Sequence, residues 1–225
     1  MRVGIVTGAS RGLGHALVRA LRERGWRLAV DARGAADLER TAGGLDRVTT
    51  IPGDVRDPAH RRALVAAAGD RIDLLVNNAS LLGPSPQPAL ADYPLDELAR
   101  VYEVNVLAPL ALVQLALPRL NSDAAILNIT SDAAVEPYEG WGGYGSSKAA
   151  LDQLTAILGA EHPRLRVYAV DPGDMRTQMQ QDAFPGEDIS DRPPPEESVP
   201  GLLALIEDSL PSGRYRVSEL QAGRR

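Results

Sequence analysis

Short apolar runs alternate with amphipathic stretches along most of the chain, and this alternation limits the possible folds more than any other feature. The runs at 3–7, 28–32, 48–51, 74–77, 125–130 and 167–170 have the length and the valine, isoleucine and leucine content of buried strands. Between them, 15–24, 35–45, 58–68, 95–117 and 144–158 space their apolar residues along one helical face. In the first of these, Leu17 and Leu21 share a face and Gly25 stands as the stop signal. Strand, helix, strand in succession predicts βαβ units with right-handed crossovers. The expected architecture is α/β: a doubly wound parallel sheet with helices on both faces, a Rossmann arrangement in a single domain over 1–225. No internal repeat interrupts it. A further helix is expected over 196–209 and an edge strand over 213–217. The tract 184–195, with Pro185, Gly186 and Pro193-Pro194-Pro195, reads as part of a substrate lid spanning about 178–210, or as a plain surface connection.

Composition narrows the chemistry. The 225 residues suffice for one sizeable core, and a net charge of -6 without a basic run argues against a nucleic-acid partner. There is no cysteine, which excludes disulfides, thiolate metal sites and a cysteine nucleophile. His15, His60 and His162 match no metal-ligand spacing, so no metal is expected. The longest apolar run, 104–117, is broken by Asn105, Pro109 and Gln114, and the apolar start at Val3 is too short for a signal segment. The expectation is a cytoplasmic protein with no membrane contact. Of the 24 basic residues, the one lysine is Lys148, at i+4 from Tyr144.

Two segments carry recognisable chemistry. The first strand runs into Thr7-Gly8-Ala9-Ser10-Arg11-Gly12-Leu13-Gly14 and then a helix. Glycines there allow a tight turn and close approach of a pyrophosphate, and the helix N-terminus supplies free N–H groups and a positive dipole end. The end of the second strand selects the dinucleotide, because an acid there would hydrogen-bond the ribose of NAD and repel a 2′-phosphate. That place reads Val30-Asp31-Ala32-Arg33. Ala32 stands where the acid is expected, and Arg33 and Arg11 suit a phosphate; a shift of one residue would instead make Asp31 the NAD-selecting acid.

The second segment is the Tyr144–Lys148 pair, which shares one helix face. A phenol with a pKa near 10 is a poor proton donor or acceptor at neutral pH, and a nearby ammonium lowers it. Ser131 ends the fifth strand, at the edge of a parallel sheet where ligands bind, with a hydroxyl able to hold a substrate oxygen. Asn105 precedes Pro109, whose missing N–H leaves the Asn105 carbonyl open to a water, or simply kinks the helix.

Taken in order, these residues resemble the short-chain dehydrogenase/reductase family over nearly the whole chain. The 7–14 segment is similar to its cofactor loop, with Gly8, Ser10, Arg11, Gly12, Leu13 and Gly14 at the pyrophosphate. Asp54-Val55 resembles the adenine-contacting pair, and Asn77-Asn78-Ala79 the motif that braces the sheet, with Asn78 and Ala79 at the cofactor. Asn105, Ser131, Tyr144 and Lys148 resemble the catalytic tetrad; Pro172, Gly173, Met175 and Thr177 resemble the nicotinamide-contacting segment. The resemblance implies hydride transfer between NADP(H), in preference to NAD(H), and a small carbonyl or alcohol. Tyr144 would be the acid or base, Lys148 would bind the nicotinamide ribose and lower the tyrosine pKa, Ser131 would orient the substrate oxygen, and Asn105 would hold a water. It also implies a homodimer or homotetramer through helices 95–118 and 144–158. The chain departs from the family pattern at Ser80, where glycine is usual after Asn-Asn-Ala. Rival readings are a non-catalytic NADP(H)-binding redox sensor and an NAD-linked alcohol dehydrogenase. The substrate pocket is expected to draw on Leu81, Leu82, Ala133, Val135, Tyr138, Trp141, Gln178, Met179 and Phe184.

Overall fold

Parallel pairing puts the carboxyl ends of all the strands at one edge of the sheet, and that edge is where the chain has placed its unusual residues. The computed structural model describes residues 1–222; positions 223–225 of the expected span lie outside the described residues. The strands are β1 (Val3–Val6), β2 (Arg27–Ala32), β3 (Val48–Pro52), β4 (Ile72–Asn77), β5 (Leu120–Ile129), β6 (Arg166–Asp171) and β7 (Gly213–Arg216). They form one 7-stranded sheet in the order β3-β2-β1-β4-β5-β6-β7, with every pairing parallel. The order reverses direction between β1 and β4, which opens a crevice there.

Alternating side chains cover the two faces. Val6, Val30, Val76 and Leu127 pack with Leu17 and Leu21 of α1 (Gly12–Glu23). Their strand neighbours Ile5, Ala29, Leu75 and Ile126 point the other way, onto Leu64 of helix Pro58–Ala68 and Leu112 of helix Ala108–Ala116. The helices number, in chain order, α1, α2 (Ala35–Ala42), α3 (Pro58–Ala68), α4 (Leu95–Tyr102), α5 (Ala108–Ala116), α6 (Gly142–Glu161), α7 (Gln178–Ala183), α8 (Val199–Glu207) and α9 (Val217–Ala222). Asp57 caps α3 by accepting from the Ala59 N–H at 2.8 Å, with Pro58 in the first turn, where a missing N–H costs nothing.

Three expectations change in detail. The helix expected over 95–117 is interrupted: a π-helical turn, Glu103–Leu107, separates α4 from α5, and the Ala108 N–H reaches back to the Glu103 carbonyl. Pro109 cannot continue the regular ladder, and the wider turn takes up the mismatch. The fifth strand starts earlier than 125, because Leu120 pairs with Ile72 before the register shifts between Ile72 and Leu74; polar Asn121-Ser122-Asp123 hid this portion. The 196–209 segment opens as a 3-10 turn, Pro195–Ser198, before α8. The stretch Leu95–Arg119 is long and apolar enough to cross a membrane by length and composition, but 50% of its most apolar window is buried inside the fold.

Leu75 lies at the centre of the sheet with 0% exposure. Leu75→Ala should lower unfolding free energy by about 2–5 kcal/mol, the usual loss for a truncated core leucine. Urea denaturation reads this directly, and a change below about 1 kcal/mol would mean the sheet centre relaxes around the gap.

Candidate active site

The glycine loop between β1 and α1 is held from beneath by Asp31 and Asn78 and by its own Thr7. The Gly8 N–H donates to the Asp31 carboxylate at 2.8 Å, and the Ala9 N–H donates to the Asp31 carbonyl at 2.8 Å. The other Asp31 oxygen lies 2.8 Å from His60 Nε2, and Asp31 is only 1% exposed. Thr7 Oγ1 accepts from the N–H groups of Asn78 and Ala79, each at 2.9 Å. The Asn78 amide donates to the carbonyls of Thr7 (2.9 Å) and Gly8 (3.1 Å). Gly8 and Gly12 have φ values of 68° and 57°, in the left-handed region that glycine tolerates. At Gly14 a Cβ would collide with the Gly8 carbonyl and the Asn78 amide, so glycine there lets α1 start hard against the loop. No side chain caps the start of α1, which leaves the N–H groups of its first turn facing the crevice.

A cleft of about 890 Å³ opens from this loop along the carboxyl edge of the sheet. Of the expected residues, Gly8, Ser10, Arg11, Gly12, Leu13, Arg33, Val55, Asn78, Ala79, Ser131, Tyr144, Lys148, Pro172, Gly173, Met175 and Thr177 all line it. Gly14, Asp54 and Asn105 are not among its lining residues. The Asp54 carboxylate is gripped by Arg56, with Nη2 at 2.8 Å and Nε at 3.0 Å, and that guanidinium holds its pKa below the usual carboxylate value. Arg11 and Arg33 are exposed at the rim beside the loop. On that rim the Asp37 carboxylate is paired with Arg40 at 2.7 Å. A dinucleotide therefore fits the residues present: an open helix N-terminus, glycines where backbone and ligand would touch, and two arginines at the outer end.

At the other end, α6 presents Tyr144 and Lys148 to the end of β5. Lys148 is 2% exposed, and its Nζ donates to the Ile129 carbonyl at 2.7 Å and lies 5.4 Å from the centre of the Tyr144 ring. Burial disfavours the ammonium and lowers its pKa to about 8. Burial also disfavours the phenolate and drives the Tyr144 pKa far up, against the expectation that Lys148 depresses it. Desolvation wins because both groups are enclosed; the hydroxyls of Ser80 and Ser131 draw the phenol partly back by hydrogen bonding. The Ser131 hydroxyl donates to Asp132 at 2.9 Å and accepts from the Ala133 N–H at 3.2 Å.

Asn105 is fully buried and works through its side chain. Its amide donates to the Leu81 carbonyl and to Ser147 Oγ, each at 2.9 Å. Its Oδ1 accepts from the Leu81 N–H at 2.8 Å and from Ser80 Oγ at 3.1 Å. The residue thus ties the π-helical turn, the 80–81 loop and α6 into one unit.

Sequence reasoning passed over Asp31 as a loop anchor, Asp132, and Arg214. From β7, Arg214 donates to Asp152 and to the Ser131 carbonyl, both at 3.0 Å, and to Asp171 at 3.3 Å. Only a parallel seventh strand brings Arg214 under the site, and no local motif announces that. Of the expected pocket residues, Leu81, Leu82, Trp141, Gln178 and Met179 line the cleft. Ala133 packs with Leu82 and Tyr144, and Phe184 stands against Trp141 with ring centres 5.9 Å apart. Val135 and Tyr138 are exposed, at 53% and 47%, and Tyr138 donates to Asp132 at 3.0 Å and stands edge-on to Trp141.

Known proteins place this geometry. A family model described as short chain dehydrogenase matches residues 2–188. The chain is 34% identical over 189 residues to a benzil reductase ((S)-benzoin forming) of Bacillus subtilis, covering 80% of this chain and 77% of that protein. It is 33% identical over 196 residues to a benzil reductase of Saccharomyces cerevisiae, covering 80% and 74%. Among solved structures, the KRED1-Pglu enzyme superposes with a TM-score of 0.85 at 32% identity, covering 96% of this chain and 100% of that one. A short chain dehydrogenase of Shigella flexneri complexed with NADP superposes with a TM-score of 0.88 at 25% identity, covering 96% and 97%. With the ordered residues in one cleft and a family match over most of its length, the chain belongs to the short chain dehydrogenase family of oxidoreductases.

Proposed function

We propose that the protein is an NADPH-dependent carbonyl reductase in which Tyr144 is the proton donor. The observation that carries this is the enclosure of Tyr144 and Lys148 together at the end of β5, beside Ser131 and in the cleft that the glycine loop opens. Bound reduced nicotinamide would supply the hydride; the residues lining the cleft do the rest. A buried phenol keeps its proton at neutral pH and can give it to a carbonyl oxygen that is gaining electrons. Lys148 sets a cation under that event, close enough to favour the phenolate left behind. Ser131 can turn its proton from Asp132 to the substrate oxygen by rotation about one bond. Asn105 holds the loop and helix that position these groups.

Several features favour the phosphorylated cofactor. The Asp31 carboxylate is spent on Gly8 and His60 and lies inside the protein, so it is not free to take a ribose hydroxyl. Arg11 and Arg33 face the rim where a 2′-phosphate would lie. The solved relatives from Shigella flexneri and from Escherichia coli CFT073 hold NADP and NADPH. For the substrate, Leu82, Trp141 and Met179 make an apolar wall, with Trp141 edge-on to Tyr144 at 5.9 Å. That wall suits a neutral, aryl-bearing carbonyl, and the two benzil reductases point to 1,2-diketones as the first compounds to try. Exposed Leu107, in the π-helical turn between α4 and α5, and exposed Ile157 of α6 support assembly as a homodimer or homotetramer through the segments 95–118 and 144–158.

Tyr144→Phe should abolish NADPH oxidation with a diketone while NADPH still quenches protein fluorescence; turnover close to that of the parent would remove Tyr144 from the mechanism. Arg33→Ala should weaken NADPH by about 1.5–3 kcal/mol, the worth of a charged hydrogen bond, and leave NADH unaffected. Equal losses for both cofactors would show Arg33 acting on something other than the phosphate.

The buried lysine also predicts a pH dependence. Its folded pKa of about 8 lies below the ordinary lysine value of 10.5. Between those values the unfolded chain holds a proton that the folded protein has released, so this contribution to stability grows as pH rises and is lost as pH falls through about 8. The stability of the parent protein relative to Lys148→Met should therefore rise from about pH 8 upward, read by urea denaturation at each pH. A gap independent of pH would show that the folded protein accommodates the ammonium at no cost.

A further inference from the structure

Strand β7 lies outside every motif of the candidate site, yet it supplies that site with a cation. Alternation puts Arg214 and Arg216 on one face of the strand. Arg214 reaches three separate segments. Its Nε donates to Asp152 Oδ2 at 3.0 Å, and its Nη2 donates to the Ser131 carbonyl at 3.0 Å and to Asp171 Oδ2 at 3.3 Å. Arg216 Nε stands 3.6 Å from the same Asp171 oxygen. The side chains of Asp152 and Asp171 are 16% and 7% exposed and that of Arg214 is 26% exposed, so the cluster is largely out of water. Each partner leads to a wall of the cleft. Ser131 lines it directly. Asp152 lies at i+4 from Lys148 on α6, one turn further along the same face. Asp171 ends β6, and its Oδ1 accepts the Gly173 N–H at 3.0 Å, at the start of the 172–177 segment that lines the cleft.

We infer that Arg214 is a positioning residue for hydride transfer: its planar guanidinium fixes Ser131, the Lys148 turn of α6 and the 171–173 segment relative to one another. This rests on the reading of the cleft as a carbonyl reductase site. On that reading Ser131 holds the carbonyl oxygen and the 172–177 segment meets the nicotinamide, so the spacing between them sets the gap that the hydride crosses. Transfer needs the reacting atoms aligned and about 3–3.5 Å apart. The Ser131 carbonyl also accepts the Ala134 N–H at 3.1 Å, which ties it to its own turn; Arg214 ties it across to β6 and α6. A guanidinium donates from one rigid plane to several acceptors, whereas an ammonium is a point charge on a flexible stem. Loss of Arg214 would leave two largely buried carboxylates close together with less positive charge between them, a costly arrangement that relaxes by movement. The Arg216 contact leaves Asp171 a cation, so the loss falls on Ser131 and Asp152.

The test is a single turnover. Parent protein, Arg214→Met and Arg214→Lys, each in excess over NADPH, are mixed with saturating benzil, and loss of the nicotinamide absorbance is followed by stopped flow. Misplacement lowers the rate constant, whereas a smaller folded fraction lowers only the amplitude. In Arg214→Met the rate constant should fall about 10- to 100-fold at full amplitude, the scale of a displacement near 1 Å. Arg214→Lys keeps the charge without the fork and should fall at least about tenfold. Thermal unfolding checks that each variant keeps the fold; should Arg214→Met fail to fold, Arg214→Lys carries the same comparison. A rate constant equal to that of the parent in a folded variant, with or without a loss of amplitude, overturns the role of Arg214. NADPH binding is read separately by fluorescence. A parent protein that binds NADPH and does not reduce benzil defeats the reductase reading and this inference with it, whereas a turning-over parent with undiminished variants defeats Arg214 alone.

Discussion

The hydrogen bonds that join the end of β1 to the end of β4 hold the rest of the site in place. Thr7 Oγ1 takes two backbone N–H groups from the 78–79 segment, and the Asn78 amide returns two bonds to the carbonyls of Thr7 and Gly8. They span the seam where the strand order reverses, which is where a doubly wound sheet leaves a crevice. Each is worth about 1 kcal/mol net, yet together they fix the glycine loop to the strand that leads into Ser80 and Leu81. Asp31 adds a buried carboxylate below the same loop. The position of the crevice relative to Tyr144 follows from this bracing and from the register of β4, β5 and β6.

Much of this was legible along the chain because it rests on local patterns. Short apolar runs and helical stripes place six of the seven strands closely, and a glycine-rich turn between strand and helix needs no tertiary information. The Tyr144 to Lys148 spacing puts two side chains on one face in any helix. Contacts between distant segments were not legible. Asp31 read as a possible ribose ligand, since nothing nearby in sequence shows that His60 and the Gly8 N–H will claim it. Asn105 read as a kink and a free carbonyl, whereas its side chain makes four hydrogen bonds to segments far along the chain. Arg214 acquires meaning only once β7 pairs beside β6.

Electrostatics turned out opposite in sign to the simple expectation for Tyr144. Proximity to an ammonium favours a phenolate, but enclosure disfavours every charge, and here both partners are enclosed. Lys148 yields part of its own charge preference and Tyr144 holds its proton more firmly. Such a pair keeps the phenol protonated until further charge or hydrogen bonding arrives. Ser80, Ser131 and a cofactor in the cleft are the sources at hand.

The central claim is that this cleft passes a hydride to a carbonyl carbon while Tyr144 protonates the oxygen. It is tested most directly by isotope transfer. The protein is incubated with benzil and NADPH carrying deuterium at the nicotinamide C4, and the alcohol product is analysed by mass spectrometry and NMR. The account predicts deuterium on the carbinol carbon, from one face of the nicotinamide only. Alcohol formed without deuterium from either face, or NADPH oxidised with no alcohol formed, would contradict it.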